Sequence, residues 1–152
     1  MIRVAGIYGS PRRRGNTATL LDRVLQGAAG EGARIDRIVL RDQQIGPCLE
    51  IYGCRQNGRC VIRDDFQSVV DRLMQSDAVV LATPVFFYAV SAHTKLLMDR
   101  CQSLWVKKYW IDQTPFGRRG YRRTGMLVSA GATRGSRLFD GVLLSVRYFF
   151  DV

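Results

Sequence analysis

Residues 2–17 read Ile2-Arg3-Val4-Ala5-Gly6-Ile7-Tyr8-Gly9-Ser10-Pro11-Arg12-Arg13-Arg14-Gly15-Asn16-Thr17. The first half is a short apolar run closed by Gly9-Ser10-Pro11, and it predicts a buried strand. The second half predicts a turn that opens a helix. Asn16 or Thr17 can cap it, and Leu20, Leu21, Val24, Leu25 and Ala28 follow at the spacing of a core-facing helix. A strand, a tight polar loop and a helix start together make an anion site. First-turn N–H groups lack intrahelical partners, and the helix dipole favours negative charge there. Ser10, Asn16 and Thr17 add side-chain donors, and Arg12, Arg13 and Arg14 add positive charge. A nucleoside-triphosphate loop needs Lys-Ser/Thr after its last glycine, and Gly15 is followed by Asn16-Thr17. The dinucleotide fingerprint Gly-x-Gly-x-x-Gly is absent too, since five residues separate Gly9 from Gly15. Hydroxyl and amide donors at a helix start suit the several oxygens of a phosphate monoester.

Outward from this stretch, strands and helices alternate, the pattern of a parallel sheet covered on both faces. Residues 33–40 predict a second strand and residues 41–63 a long loop. Asp64-Asp65 predicts the cap of a helix carrying Phe66, Val69, Val70 and Leu73. Ala78-Val79-Val80-Leu81-Ala82 is a continuous apolar run suited to a central parallel strand, ended by Thr83-Pro84. Ser91 starts a third helix whose apolar face is Ala92, Leu96, Leu97, Cys101 and Leu104. Residues 125–129 predict a fourth strand and 131–135 a loop. A last helix from about Ser136 carries Leu138, Phe139, Val142, Leu143, Val146 and Phe149. At 152 residues the chain is expected to form one domain over residues 1–152.

Gly9-Ser10-Pro11-Arg12-x-x-Gly15-Asn16-Thr17 after an N-terminal strand resembles the phosphate loop of the NAD(P)H-dependent FMN reductase family. That family has a flavodoxin-like fold and includes the iron–sulfur flavoproteins. Two later stretches extend the resemblance. Thr83-Pro84-Val85-Phe86-Phe87-Tyr88, followed by Ser91-Ala92-His93-Thr94-Lys95 and Asp99-Arg100, is similar to the loop that holds the flavin ring. Ser129-Ala130-Gly131-Ala132-Thr133-Arg134-Gly135 is similar to the family's loop beside that ring.

The resemblance implies an α/β fold, a three-layer α/β/α sandwich with a parallel sheet in the order 2-1-3-4-5. Four strands are legible, so the fifth is expected to be missing or truncated, with a protein contact at the open edge. It implies FMN held non-covalently, with Ser10, Arg12, Asn16 and Thr17 on the phosphate. Pro84, Val85, Phe86, Phe87 and Tyr88 would hold the ring, with Gly131 beside it. It also implies NAD(P)H as co-substrate and a quinone, azo, nitro or flavin acceptor, in a homodimer or homotetramer. No residue is assigned a catalytic role, because the cofactor carries hydride chemistry and His93, the one histidine, shows no partner in the sequence.

Cys48, Cys54 and Cys60 lie in the 41–63 loop, followed by Asp64-Asp65. They resemble the segment that carries the cluster ligands in iron–sulfur flavoproteins, whose pattern has a further cysteine where this chain has Ile51. A four-iron cluster takes four thiolates, and Cys101 falls on an apolar helix face. The spacings match no common zinc site. No metal is therefore assigned.

The net charge is +10, enough to draw anionic partners. The arginines are scattered, with clusters at 12–14, 118–119 and 122–123 and no recognition-helix or zinc-finger pattern, which favours an anionic cofactor over nucleic acid. Residues 104–123 interleave aromatic and basic side chains. They read as an excursion packed on the core with solvated charges. A lid, a nicotinamide-phosphate site, a subunit contact or single-stranded nucleic acid are other uses of such a segment. No apolar run reaches membrane-span length and no leader is seen, so a cytoplasmic protein is expected. Two other classes stay open: an electron-transfer protein like flavodoxin or an iron–sulfur flavoprotein, without NAD(P)H activity, and a binding module using residues 107–123.

Overall fold

The computed structural model describes residues 1–116 and 123–152. Strands β1 (Arg3–Tyr8), β2 (Arg34–Val39), β3 (Ala78–Pro84) and β4 (Thr124–Ala130) form one parallel sheet in the order β2-β1-β3-β4. The order reverses between β1 and β3. Gly6 of β1 stands opposite Arg37 on one side and Val80 on the other.

Alternation along the strands divides the core between two faces. Val4, Tyr8, Val80 and Ala82 face helix α1 (Asn16–Gly30), which buries Ala18, Leu21 and Leu25 against them. Ala5, Ile7, Ile38 and Leu81 face the other way. They pack with α2 (Phe66–Met74), α3 (Ala92–Arg100) and α5 (Asp140–Phe149) through Phe66, Val69, Leu97, Val142 and Val146. A short helix, α4 (Gln102–Val106), follows α3 and leads into a π-turn at Lys107–Ile111. Gly6 marks the closest approach of α1 to the sheet, since a Cβ there would lie 2.5 Å from Leu25 Cδ1.

The helix carrying Phe66, Val69, Val70 and Leu73 buries all four. Elsewhere the structure corrects the expected details. Neither Asn16 nor Thr17 caps α1; they are its first helical residues, and Gly15 precedes them with no side-chain cap. Leu20 is exposed. The Asp64-Asp65 start of α2 is as expected: Asp65 stands at the cap position and accepts from the Gln44 N–H, while Asp64 accepts from the Phe66 N–H. The stretch from 91 to 106 is two helices, and its buried stripe is Thr94, Leu97, Arg100, Cys101, Ser103 and Val106. Ala92 is exposed and Leu96 and Leu104 are only half-buried. The stripe admits polar members because Thr94 pairs with Ser91, Arg100 with Asp64 and Ser103 with the Arg100 carbonyl. Residues 136–139 are turns, so α5 begins at Asp140; Val142 and Val146 face the core while Leu143 and Leu144 are exposed.

β4 is one of the two edge strands, paired with β3 alone among the described residues; β2 is the other. The 104–123 stretch is seen to residue 116 and at Arg123; the basic residues 118, 119 and 122 lie outside the described residues. No helix among the described residues is long and apolar enough to cross a membrane.

Candidate functional site

The loops that leave β1, β3 and β4 at their carboxyl ends line one hollow of about 330 Å³. This is the end of an open α/β sheet, beside the reversal of strand order, where such folds bind ligands. Its volume falls within the range of small-molecule sites. From the first loop come Ser10, Pro11, Arg12, Arg14, Gly15, Asn16 and Thr17; from the second Pro84, Val85 and Phe86; from the third Ala130, Gly131 and Ala132.

A buried set of hydroxyls fastens the three loops together. Ser91 caps α3, accepting from the Thr94 N–H. Its own hydroxyl donates to the Gly9 carbonyl at 2.5 Å, and its N–H donates to Thr83 Oγ1 at 3.1 Å. Ser129 Oγ donates to the Thr83 carbonyl at 2.8 Å, and the Val85 N–H donates to the Ala130 carbonyl. Gly9 cannot carry a side chain here, because a Cβ would lie 2.1 Å from Thr94 Oγ1 and 2.8 Å from the Ala82 carbonyl oxygen. Thr83, Ser91 and Thr94 are essentially inaccessible to solvent. In the sequence Ser91 and Thr94 fall in the stretch similar to the family's ring-holding loop, and Ser91 is a helix start, but neither is marked as a fastener of the loops. The small hydroxyl residues at the ends of apolar runs were the available signal, but their partners lie far away in the chain.

The first loop is braced from outside as well. Arg13 grips Asp42 with two hydrogen bonds of 2.6 and 2.8 Å, and Arg41 donates to the Pro11 carbonyl at 2.6 Å. Arg13 is thereby turned away, leaving Arg12 and Arg14 at the hollow. Ser10 Oγ accepts from the Arg12 N–H at 3.1 Å, so its O–H remains free to donate. With no side-chain cap and no acidic residue in its first turn, α1 presents its early N–H groups to this end of the hollow. The opposite wall is Pro84, Val85, Phe86 and the small residues Ala130 and Gly131. Gly131 is confined by the turn that precedes α5: a Cβ would lie 2.7 Å from Leu138 Cδ2.

Of the ten residues named from the sequence, the structure gathers Ser10, Arg12, Asn16, Thr17, Pro84, Val85, Phe86 and Gly131 around the hollow. Phe87 and Tyr88 do not line it. They occupy the two central positions of a tight turn bridged by Phe86 and Ala89, both with positive φ (49° and 61°), and Phe87 points fully into solvent. Pro11, Gly15, Ala130 and Ala132 join the lining without having been singled out as ligand contacts, and so does Arg14, named above only as positive charge near the anion site. His93 is not part of it. Below the hollow, burial first and then the hydrogen bond to Asp22 push the Tyr8 hydroxyl up to about 12, so it stays protonated.

The model of the family described as NADPH-dependent FMN reductase matches residues 2–145. The chain belongs to this family. An iron–sulfur flavoprotein of Methanocaldococcus jannaschii is 39% identical over 103 residues, 68% of this chain and 53% of that protein. An iron–sulfur flavoprotein of Archaeoglobus fulgidus is 34% identical, over 65% of this chain and 45% of that protein. The chain thus spans about half the length of these curated relatives. An azoreductase from Bacillus anthracis superposes with a TM-score of 0.72, covering 99% of this chain and 82% of that one at 14% identity, which supports the flavodoxin-like fold.

The cysteine loop lies apart from the hollow's lining. Cys48, Cys54 and Cys60 are half-buried free thiols and Cys101 is buried. Burial, countered in part by Arg100, pushes the Cys101 thiol up to about 12.

Proposed function

We propose that the hollow binds FMN and that the protein is an NAD(P)H-dependent flavin oxidoreductase. The observation that supports this best is the convergence of three loops on one hollow, with donors at one end and an apolar wall at the other. A phosphorylated tail suits the first end and a flat ring the second. Ser10, Asn16, Thr17 and the α1 N–H groups would hold the phosphate, and Arg12 and Arg14 would neutralise it. Pro84, Val85, Phe86 and Gly131 would position the ring and exclude water from one of its faces. When bound, FMN supplies the two-electron chemistry that links a nicotinamide donor to a quinone, azo, nitro or flavin acceptor.

The chain's own residues contribute orientation rather than proton transfer. The backbone of the Pro84–Phe86 and Ala130–Ala132 segments, tied together by the Thr83–Ser129 and Val85–Ala130 hydrogen bonds, would set the ring's position. Homodimers or homotetramers form part of this reading, supported by the half-exposed Met126 on β4 and by Leu143, Leu144 and Tyr148 on the outer side of α5. The test is a visible spectrum of the purified protein, before and after NADPH is added without oxygen. Yellow protein that bleaches with NADPH is expected. Protein that takes up no FMN, or whose bound FMN stays oxidised under NADPH, overturns the reading.

A further inference from the structure

Cys48, Cys54 and Cys60 sit in a loop whose two ends are drawn together by one buried cation. The Arg100 guanidinium, 0% exposed, donates to the Gly46 carbonyl at 3.1 Å, to Asp64 Oδ2 and Oδ1 at 2.5 and 3.1 Å, and to Cys60 Sγ at 3.2 Å. Its flat face lies 4.6 Å from the centre of the Phe66 ring. Asp64 in turn accepts from the N–H groups of Gly46 and Phe66. The middle of the loop has its own fastening, with Arg55 4.2 Å from the Tyr52 ring centre and 4.7 Å from that of Trp110. These contacts tie the loop's ends to α3 and its middle to the turn after α4.

The donor set does not fit an iron–sulfur cluster. Four thiolates are the usual requirement, and the loop offers three. The fourth thiol, Cys101, is buried at the α3–α4 junction. No group of three or more His, Cys, Asp or Glu side chains among the described residues is arranged to hold a metal. The spacing Cys48-x-x-Ile51-x-x-Cys54 would become the cluster-binding run Cys-x-x-Cys-x-x-Cys if position 51 were cysteine. Ile51 is instead a 59% exposed apolar side chain.

We propose that this chain is a cluster-free relative of the iron–sulfur flavoproteins, in which Arg100 orders the cysteine loop without metal and Ile51 is the residue that prevents cluster assembly. The inference stands apart from the flavin reading, since it concerns a different part of the molecule and is scored by iron rather than by colour at the flavin bands.

The full chain, Ile51→Cys and Ile51→Ser are each incubated anaerobically with ferrous iron, sulfide and a thiol reductant, then desalted. Iron and acid-labile sulfide are measured per chain. The natural sequence and Ile51→Ser are expected to retain only traces, and Ile51→Cys to approach about four of each, the content of a four-iron cluster. Position 51 is exposed, so all three proteins are expected to melt together. Stoichiometric iron and sulfide on the natural sequence or on Ile51→Ser would overturn the proposal. So would an Ile51→Cys protein that melts normally and stays empty.

Discussion

Ser91 Oγ donates to the carbonyl oxygen of Gly9 across 2.5 Å, joining the start of α3 to the start of the first loop, 82 residues earlier in the chain. Both groups are buried, so the bond has no water to replace it. Ser91→Ala removes this bond and the helix cap together. It is expected to cost about 2 kcal/mol, within the range for an orphaned buried acceptor plus a lost cap. Urea denaturation measures the loss. FMN affinity is expected to fall with it, because the Gly9 carbonyl anchors the loop that carries Ser10.

Gly9→Ala tests the same contact from the other side. A methyl group would have to fit where Thr94 Oγ1 and the Ala82 carbonyl now stand. The expected loss is about 1–3 kcal/mol, the usual cost of overpacking. Thr94→Ala in the same chain should recover only part of it, since the Ala82 carbonyl is backbone and cannot retreat.

The Phe86–Ala89 turn carries strain. Both central positions of such a turn normally go to Asn or Gly, and here they are Phe87 and Tyr88. Replacing them with Asn and Gly is expected to raise stability by about 1–2 kcal/mol, measured by thermal or chemical unfolding. FMN affinity should be unchanged, because neither side chain lines the hollow. Loss of FMN would show that the two aromatics contribute to the site from another direction.

Burial acts against ionisation of Asp64, but the hydrogen bonds from Arg100, Gly46 and Phe66 and the charge of Arg100 outweigh it and hold the carboxyl below its ordinary value of 3.8. A carboxylate depressed in the folded state stabilises it above the unfolded pKa, and that contribution is lost as pH falls through the folded value. Arg100→Met is therefore expected to cost about 3 kcal/mol at neutral pH by stranding a partly buried carboxylate. The gap between the variant and the natural sequence should shrink as pH drops below 3.8, as denaturation midpoints across pH would show.

The strands and the three loops were legible because each is local: an apolar run, then a polar turn. Their meeting at one rim followed from the alternation of strands and helices. Contacts whose partners are distant in the chain leave no local mark. Arg100 is mute as a sequence letter, since a lone arginine in a helix normally faces solvent, and only the fold brings Asp64 and Gly46 around it. The cap of α1 departs from expectation for a related reason. Asn16 and Thr17 are good caps by propensity, yet the chain places Gly15 there and leaves the first N–H groups facing the hollow. The family resemblance places Phe87 and Tyr88 on the ring; nothing local marks the pair of left-handed residues that turns them away from the hollow's lining.

The most direct test compares FMN with riboflavin, which differ by the phosphate alone, by quenching of flavin fluorescence. The natural sequence is expected to bind FMN roughly ten- to a hundredfold more tightly, the range for a few charge-assisted hydrogen bonds. Asn16→Asp, which sets a carboxylate against the phosphate, is expected to remove most of that preference while leaving riboflavin binding near its original value. Equal affinity for the two flavins in the natural sequence, or an FMN preference indifferent to Asn16→Asp at low salt, would contradict the placement of the phosphate at the start of α1.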